Sequence, residues 1–141
     1  MYKKILVPLD GSDRANKALS HAVELAGKLD AKITLMHVVP SLPPTVLNQL
    51  GQGQQAIIDE LIKDGKNMLK QYALFIDAPI DVDTFTVMGQ AADEILEKAR
   101  AGKYELIVIG SRGLGEIKGY IMGSVSSRVS RYSSCPVLIV Y

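Results

Sequence analysis

Residues Tyr104 to Arg131, YELIVIGSRGLGEIKGYIMGSVSSRVSR, decide how the rest of the chain is read. The apolar run Leu106–Ile109 stops at Gly110; Gly113, Gly115, Gly119 and Gly123 follow, with Ser111 and Ser124 beside the first and last glycines of the series. A polar, helix-compatible segment comes next. A buried strand that empties into a glycine-rich loop and then a helix is suited to holding an anion. Glycines let backbone N–H groups approach closely, and the first helical turn offers unpaired donors at the positive end of its dipole. The expectation is a loop that holds the phosphates of a nucleotide.

Upstream, Lys4 to Leu9 is a short apolar run closed by the turn cluster Asp10-Gly11-Ser12, and it reads as the first strand. Its apolar residues are nearly continuous, as in a strand covered on both faces. Ser12 or Asp13 is placed to cap a helix whose Ala15, Ala18, Leu19, Ala22, Val23, Ala26 and Leu29 keep helical spacing. Lys32 to Val39 is a second strand, closed by Pro40. Residues 40–53, PSLPPTVLNQLGQG, read as a long loop, and a helix follows from Gln54 to Phe75, interrupted by Gly65 at a cost of about 1 kcal/mol against Ala. Asp81 to Val87 reads as a third strand whose acidic, Thr-rich character suits an edge. A helix carrying Ala92, Ile95, Leu96 and Ala99 ends at Gly102; the strand Tyr104–Ile109, the helix Gly123–Tyr132 and the strand Val137–Tyr141 complete the chain.

Strands alternating with helices predict an α/β domain with a parallel sheet and helices on both faces. Right-handed crossovers force such a sheet to reverse its winding, and ligands bind where it reverses, beyond the carboxyl ends of the strands. If the fourth strand lies beside the first, Asp10, Val38–Val39 and Gly110 meet at that crevice.

The 141 residues fit one domain, 1–141, large enough for a layered core. A hydrophobic content of 48% with 22% charged residues argues for a globular chain. A net charge of +1 lacks the basic stripe of a nucleic-acid surface. No apolar run is long enough to span a bilayer, and the opening MYKKILVPLD lacks a signal-peptide pattern. The single cysteine, Cys135, reads as a small buried filler and suits a reducing compartment, so a cytoplasmic location is expected. His21 reads as a solvated surface residue and His37 as a hydrogen-bonded, half-buried one; neither has metal-ligand spacing.

Two residues separate Gly110 from Gly113, nine separate Gly113 from Gly123, and Ser124 follows. This G-x2-G-x9-G-S/T spacing after the fourth strand resembles the nucleotide-binding signature of the universal stress protein family. The opening ILVPLDGS, the HVVP after the second strand and the closing SSCPVLIV are similar to that family too. The resemblance implies a single three-layer domain with an open five-stranded parallel sheet of order 3-2-1-4-5, adenine nucleotide alpha hydrolase-like, and a homodimer. With the glycine motif intact, the chain resembles the branch that binds ATP; ADP, AMP or a cyclic nucleotide could use the same slot, and Mg²⁺ could bridge phosphate oxygens, since it keeps most of its waters and needs few protein ligands. Pro8, Leu9 and Asp10 would then flank the adenosine, with Asp10 on the ribose or the adenine edge. Val38 would meet adenine through its backbone, and Ile109 and Gly110 would floor the adenosine. Ser111, Arg112, Gly113, Gly123, Ser124 and Val125 would line the phosphates. Arg112 reads equally as a solvated loop charge, whereas Arg128 and Arg131 suit structural roles near the end of their helix. The apolar edge strand Val137–Tyr141 would be covered by its two-fold mate.

Other phosphate motifs fit worse. A Walker A loop requires a lysine before its Ser/Thr, and here Gly123 directly precedes Ser124. A dinucleotide G-x-G-x-x-G starting at Gly113 fails at Lys118. Without a Walker lysine or an evident base, fast phosphoryl transfer is not expected. The leading reading is a nucleotide-dependent regulatory module that responds to stress and signals to a protein partner of unknown identity, with slow hydrolysis at most. The alternatives are an ATPase or adenylyl-transferring enzyme on the same scaffold, and a ligand-free dimeric interaction protein.

Overall fold

A computed structural model describes residues 1–112 and 122–141. Gly113, Gly115, Lys118 and Gly119 of the glycine-rich loop lie outside the described residues. The elements are β1 (Lys4–Pro8), α1 (Asp13–Leu29), β2 (Lys32–Pro40), α2 (Pro44–Leu50), a 3-10 turn (Gly51–Gly53), α3 (Gln54–Leu74), β3 (Val82–Gly89), α4 (Ala91–Ala101), β4 (Leu106–Gly110), α5 (Ser124–Tyr132) and β5 (Val137–Val140). The strands pair in parallel in the order β3-β2-β1-β4-β5, as expected. β1 is central, with Ile5 opposite Ile33 of β2 on one side and Leu106 of β4 on the other.

Strand periodicity divides the core into two layers. Ile5, Val7 and Leu9 of β1 join Ile33, Leu35, Leu106 and Val108 beneath the buried alanines of α1 and Leu69 of α3. Leu6, Met36, Ile107 and Ile109 face the other way, onto Ala92, Ile95 and Ala99 of α4 and Val129 of α5. Continuous apolar runs therefore supply both faces of the sheet, because successive side chains point to opposite sides. Among the buried polar groups is the pair Tyr104 and Thr34, whose hydroxyls bond at 2.8 Å.

Helix ends follow local chemistry. Ser12 caps α1, its Oγ accepting from Ala15 N–H at 3.2 Å. Gln90 caps α4, its Oε1 accepting from Asp93 N–H at 2.9 Å. Residues 40–53 depart from the loop expectation, since they contain α2 and the 3-10 turn. Pro44 sits in the first turn, where its missing N–H costs nothing, and Gly51 ends the helix at φ +53°. The Pro and Gly read as loop formers are helix punctuation. β3 extends to Gly89, beyond the expected Val87, and β4 starts at Leu106 rather than Tyr104. Cys135 is half-buried rather than buried, packed against the α4/α5 layer.

Gly65 is a close-approach point of α3 on the sheet. A Cβ there would stand 2.9 Å from His37 Cδ2, 3.1 Å from Thr86 Cγ2 and 3.2 Å from Val39 Cγ2. The helix-propensity argument alone favours alanine; the packing reverses it. Gly65→Ala is expected to destabilise the chain by about 1–2 kcal/mol, because overpacking outweighs the propensity gain. Urea unfolding checks the sign.

Candidate functional site

The winding reverses between β1 and β4. α1 covers one face of the sheet there, α4 and α5 the other, and a crevice open to solvent at its mouth lies beyond the carboxyl ends of the strands. Pro8, Leu9 and Asp10 line it from β1, Val38 from β2, Ile109, Gly110 and Arg112 from the end of β4, and Val125 from α5. These eight are among the residues singled out in the sequence. Gly123 is the buried N-cap of α5. Ser124 is exposed and faces a separate shallow groove with Ser127, Arg128 and Arg131. Gly113 lies outside the described residues.

Ser111 lies behind the crevice wall, fully buried. Its N–H donates to Val140 O at 2.8 Å, and its carbonyl accepts from Gly123 N–H at 2.6 Å and from Ser126 Oγ at 2.5 Å. Its hydroxyl accepts from Arg14 Nη1 at 2.6 Å. One serine thereby joins the end of β4 to β5, to the first turn of α5 and to the first turn of α1. Gly110 makes this possible: a Cβ on it would stand 2.8 Å from the carbonyl carbon of Arg14 and 2.9 Å from its oxygen.

Charge of both signs lines the crevice. Asp10 Oδ1 accepts from Ser12 N–H at 3.0 Å, an Asx-type turn over Gly11, whose φ of +86° requires glycine. In the same crevice, Arg112 Nε is buried and finds no hydrogen-bond partner among the described residues. His37 lines the crevice with its Nδ1 2.8 Å from Leu9 O, and because a carbonyl only accepts, Nδ1 carries the proton. α1 and α4 open with side-chain caps, whereas no side-chain hydrogen bond caps α5 among the described residues. Beside the entrance, Tyr72 donates to Asn16 Oδ1 at 2.5 Å; burial, and after it the negative charge of Asp10, push its hydroxyl above the ordinary tyrosine value.

Sequence reasoning missed several lining residues. Ser12, which caps α1, Ala15 of α1, Met36 and His37 of β2, Ala91 and Ile95 of α4 and Ser126 of α5 all line the crevice. A signal was present for some of them: the helices that follow β1, β3 and β4 all begin at this end of the sheet. Arg14 carried none, since its partner is 97 residues away. Arg128 pairs with Asp93 Oδ1 at 2.8 Å, linking α5 to α4.

A doubly wound α/β domain with a crevice at its switch point is the class these features define. All 141 residues match the profile of the Universal stress protein family, and the chain belongs to that family. It is 36% identical to Universal stress protein YxiE of Bacillus subtilis, over 99% of both chains. Universal stress protein UspA from Lactobacillus plantarum superposes with a TM-score of 0.86 at 27% identity, covering 99% of this chain and 98% of that one. A universal stress protein solved in complex with cAMP matches at TM-score 0.65 and 28% identity, covering 99% and 97%.

Two outcomes follow from this geometry. Gly110→Ala is expected to lose about 1–3 kcal/mol, because the new methyl meets helix backbone that has no room to yield; urea midpoints measure it. Tyr72 holds its proton more tightly in the folded chain than in the unfolded one. Its contribution is therefore complete below the unfolded value, about pH 10, and is lost as pH rises through the higher folded value. Urea midpoints from pH 8 to 11 are expected to fall more steeply for the wild type than for Tyr72→Phe.

Proposed function

We propose that this chain is an ATP-binding regulatory module whose crevice holds an adenine nucleotide, ADP or AMP being taken by the same slot. The observation that carries the reading is Arg112 Nε, buried without a partner among the described residues, in a crevice that the carboxylate of Asp10 also lines. An unsatisfied buried donor costs about 1–3 kcal/mol, and a phosphate oxygen satisfies it with a charge-assisted bond. The first turn of α5 adds backbone donors of the right polarity. Val38, Ile95 and Ile109 offer apolar walls for adenine, with strand-end backbone groups for its polar edge. Asp10 would take a ribose hydroxyl or the adenine edge. The relative solved with cAMP is consistent with an adenine ligand in this family. Mg²⁺ would sit on phosphate oxygens, keeping most of its waters and needing few protein ligands.

Binding rather than rapid turnover is the reading we favour because the loop has no Walker lysine before Ser124. An ATPase or adenylyl-transferring enzyme on the same scaffold is the alternative; it would draw its base from Asp10, which accepts from Ser12, or from His37, whose Nε2 is left to accept when Nδ1 donates to Leu9. We further propose one domain over residues 1–141, a cytoplasmic setting consistent with the single Cys135, and a protein partner that reads the nucleotide state. Among the described residues no helix is long and apolar enough to cross a membrane. A homodimer through Val137–Tyr141 is supported by the edge position of β5 and by Leu138 and Tyr141, which are 37% and 57% exposed.

Saturating ATP, at about a hundred times its dissociation constant, is expected to stabilise the chain by about 2.7 kcal/mol, a rise in Tm of several degrees. Asp10→Ala and Gly113→Ala should each shrink that rise, and phosphate release should stay below roughly one per minute. Absence of any shift with ATP, ADP or AMP at millimolar concentration would defeat the proposal. Sedimentation at micromolar concentration is expected to give the dimer mass; a monomer would remove the proposed interface.

A further inference from the structure

Resting on the nucleotide reading above, we propose that Arg14 is a positioning residue for the phosphate end of the crevice, acting through Ser111. Arg14 stands in the first turn of α1, half-buried, and its Nη1 donates to Ser111 Oγ at 2.6 Å. That hydroxyl is sealed from solvent. The carbonyl of the same serine receives Gly123 N–H and Ser126 Oγ, the bonds that set where α5 begins. The first turn of α5 contributes Val125 and Ser126 to the crevice wall. A charged donor holding the side chain of Ser111 therefore fixes the backbone from which the anion-facing turn hangs. Of the walls expected to hold adenosine, Pro8, Leu9, Val38 and Ile95 stand on other elements, while Ile109 and Gly110 precede Ser111 but are held by their pairing with β5 rather than by the Ser111 side chain.

Arg14 is fitted to this task in two ways. Its backbone is clamped against Gly110, so the guanidinium projects from a fixed point. Its planar fork keeps the charge at any accessible pH and is pre-organised for a directed bond, which a lysine ammonium is not. Hydrogen bonds to charged groups are worth more than neutral ones, so loss of this bond releases Ser111 more than loss of an ordinary side-chain contact.

The test compares adenosine with ATP as ligands in calorimetric titrations of the full chain. Variants are Arg14→Met, Arg14→Lys, Ser111→Ala and the Arg14→Met/Ser111→Ala double. Arg14→Met is expected to weaken ATP about tenfold while leaving adenosine within about twofold. Ser111→Ala should show the same selective loss, the double variant no more than either single, and Arg14→Lys a partial rescue. Unfolding midpoints verify that each variant is folded; should Ser111→Ala fail to fold, the half-exposed Arg14→Met and Arg14→Lys decide the matter. Equal weakening of adenosine and ATP, or no weakening of ATP, overturns the inference. Additive losses in the double variant also overturn it, since Arg14 would then act on the phosphates directly. A wild-type chain that binds neither ligand defeats the nucleotide reading itself, a result distinct from wild-type binding with an unaffected Arg14 variant.

Discussion

At Ser111 the chain of β4 stops pairing as a strand and starts holding other elements. Its three polar groups reach Val140, Gly123, Ser126 and Arg14, and water is excluded from all of them. A residue this committed sets the relation of β5, α5 and α1 around one point. The crevice depends on that relation, because its floor is the end of β4 and its flanks are the first turns of the helices. An open α/β sheet leaves a gap wherever its winding reverses; Ser111 and Gly110 determine how wide that gap is.

The fold was legible because the strands announce themselves without ambiguity. Short apolar runs bounded by Asp-Gly-Ser, Pro or Gly, and separated by helical spacing of alanines and leucines, admit few arrangements once crossovers must be right-handed. The strand ends Asp10, Val38 and Gly110 followed from the same pattern once the fourth strand lies beside the first, whereas Pro8, Leu9 and Ile109 were implied by the family resemblance; all six line the crevice. What escaped was set by contacts distant in sequence. Arg14 on Ser111, Tyr104 on Thr34 and Gly65 against His37 have no local signature. Residues 40–53 failed differently. Pro and Gly break helices in the middle and delimit them at the ends, and composition does not say which is happening.

Gly65 shows how tertiary packing inverts a local preference. By helix propensity it is a flaw in α3; by packing it is where the helix meets β2 and β3 most closely. The ring it touches, His37, also donates to Leu9 and lines the crevice. The outer helix layer, the second strand and the crevice are therefore in series, each contact leaving little freedom to the next.

The crevice is lined by charges of both signs. Asp10 is held by the turn it forms with Ser12, while Arg112 Nε has no hydrogen-bond partner among the described residues. A molecule carrying hydroxyls at one end and anionic oxygens at the other satisfies both without a proton moving. Catalysis of phosphoryl transfer asks for more: a base free to accept a proton and a cation tracking the charge as it develops. Here the bonds from Ser12 to Asp10 and from His37 to Leu9 orient the carboxylate and the imidazole without removing their basicity, and Arg14 is turned toward a serine rather than the open space. What these bonds fix is geometry, and donors and acceptors held in place discriminate one ligand from another by position.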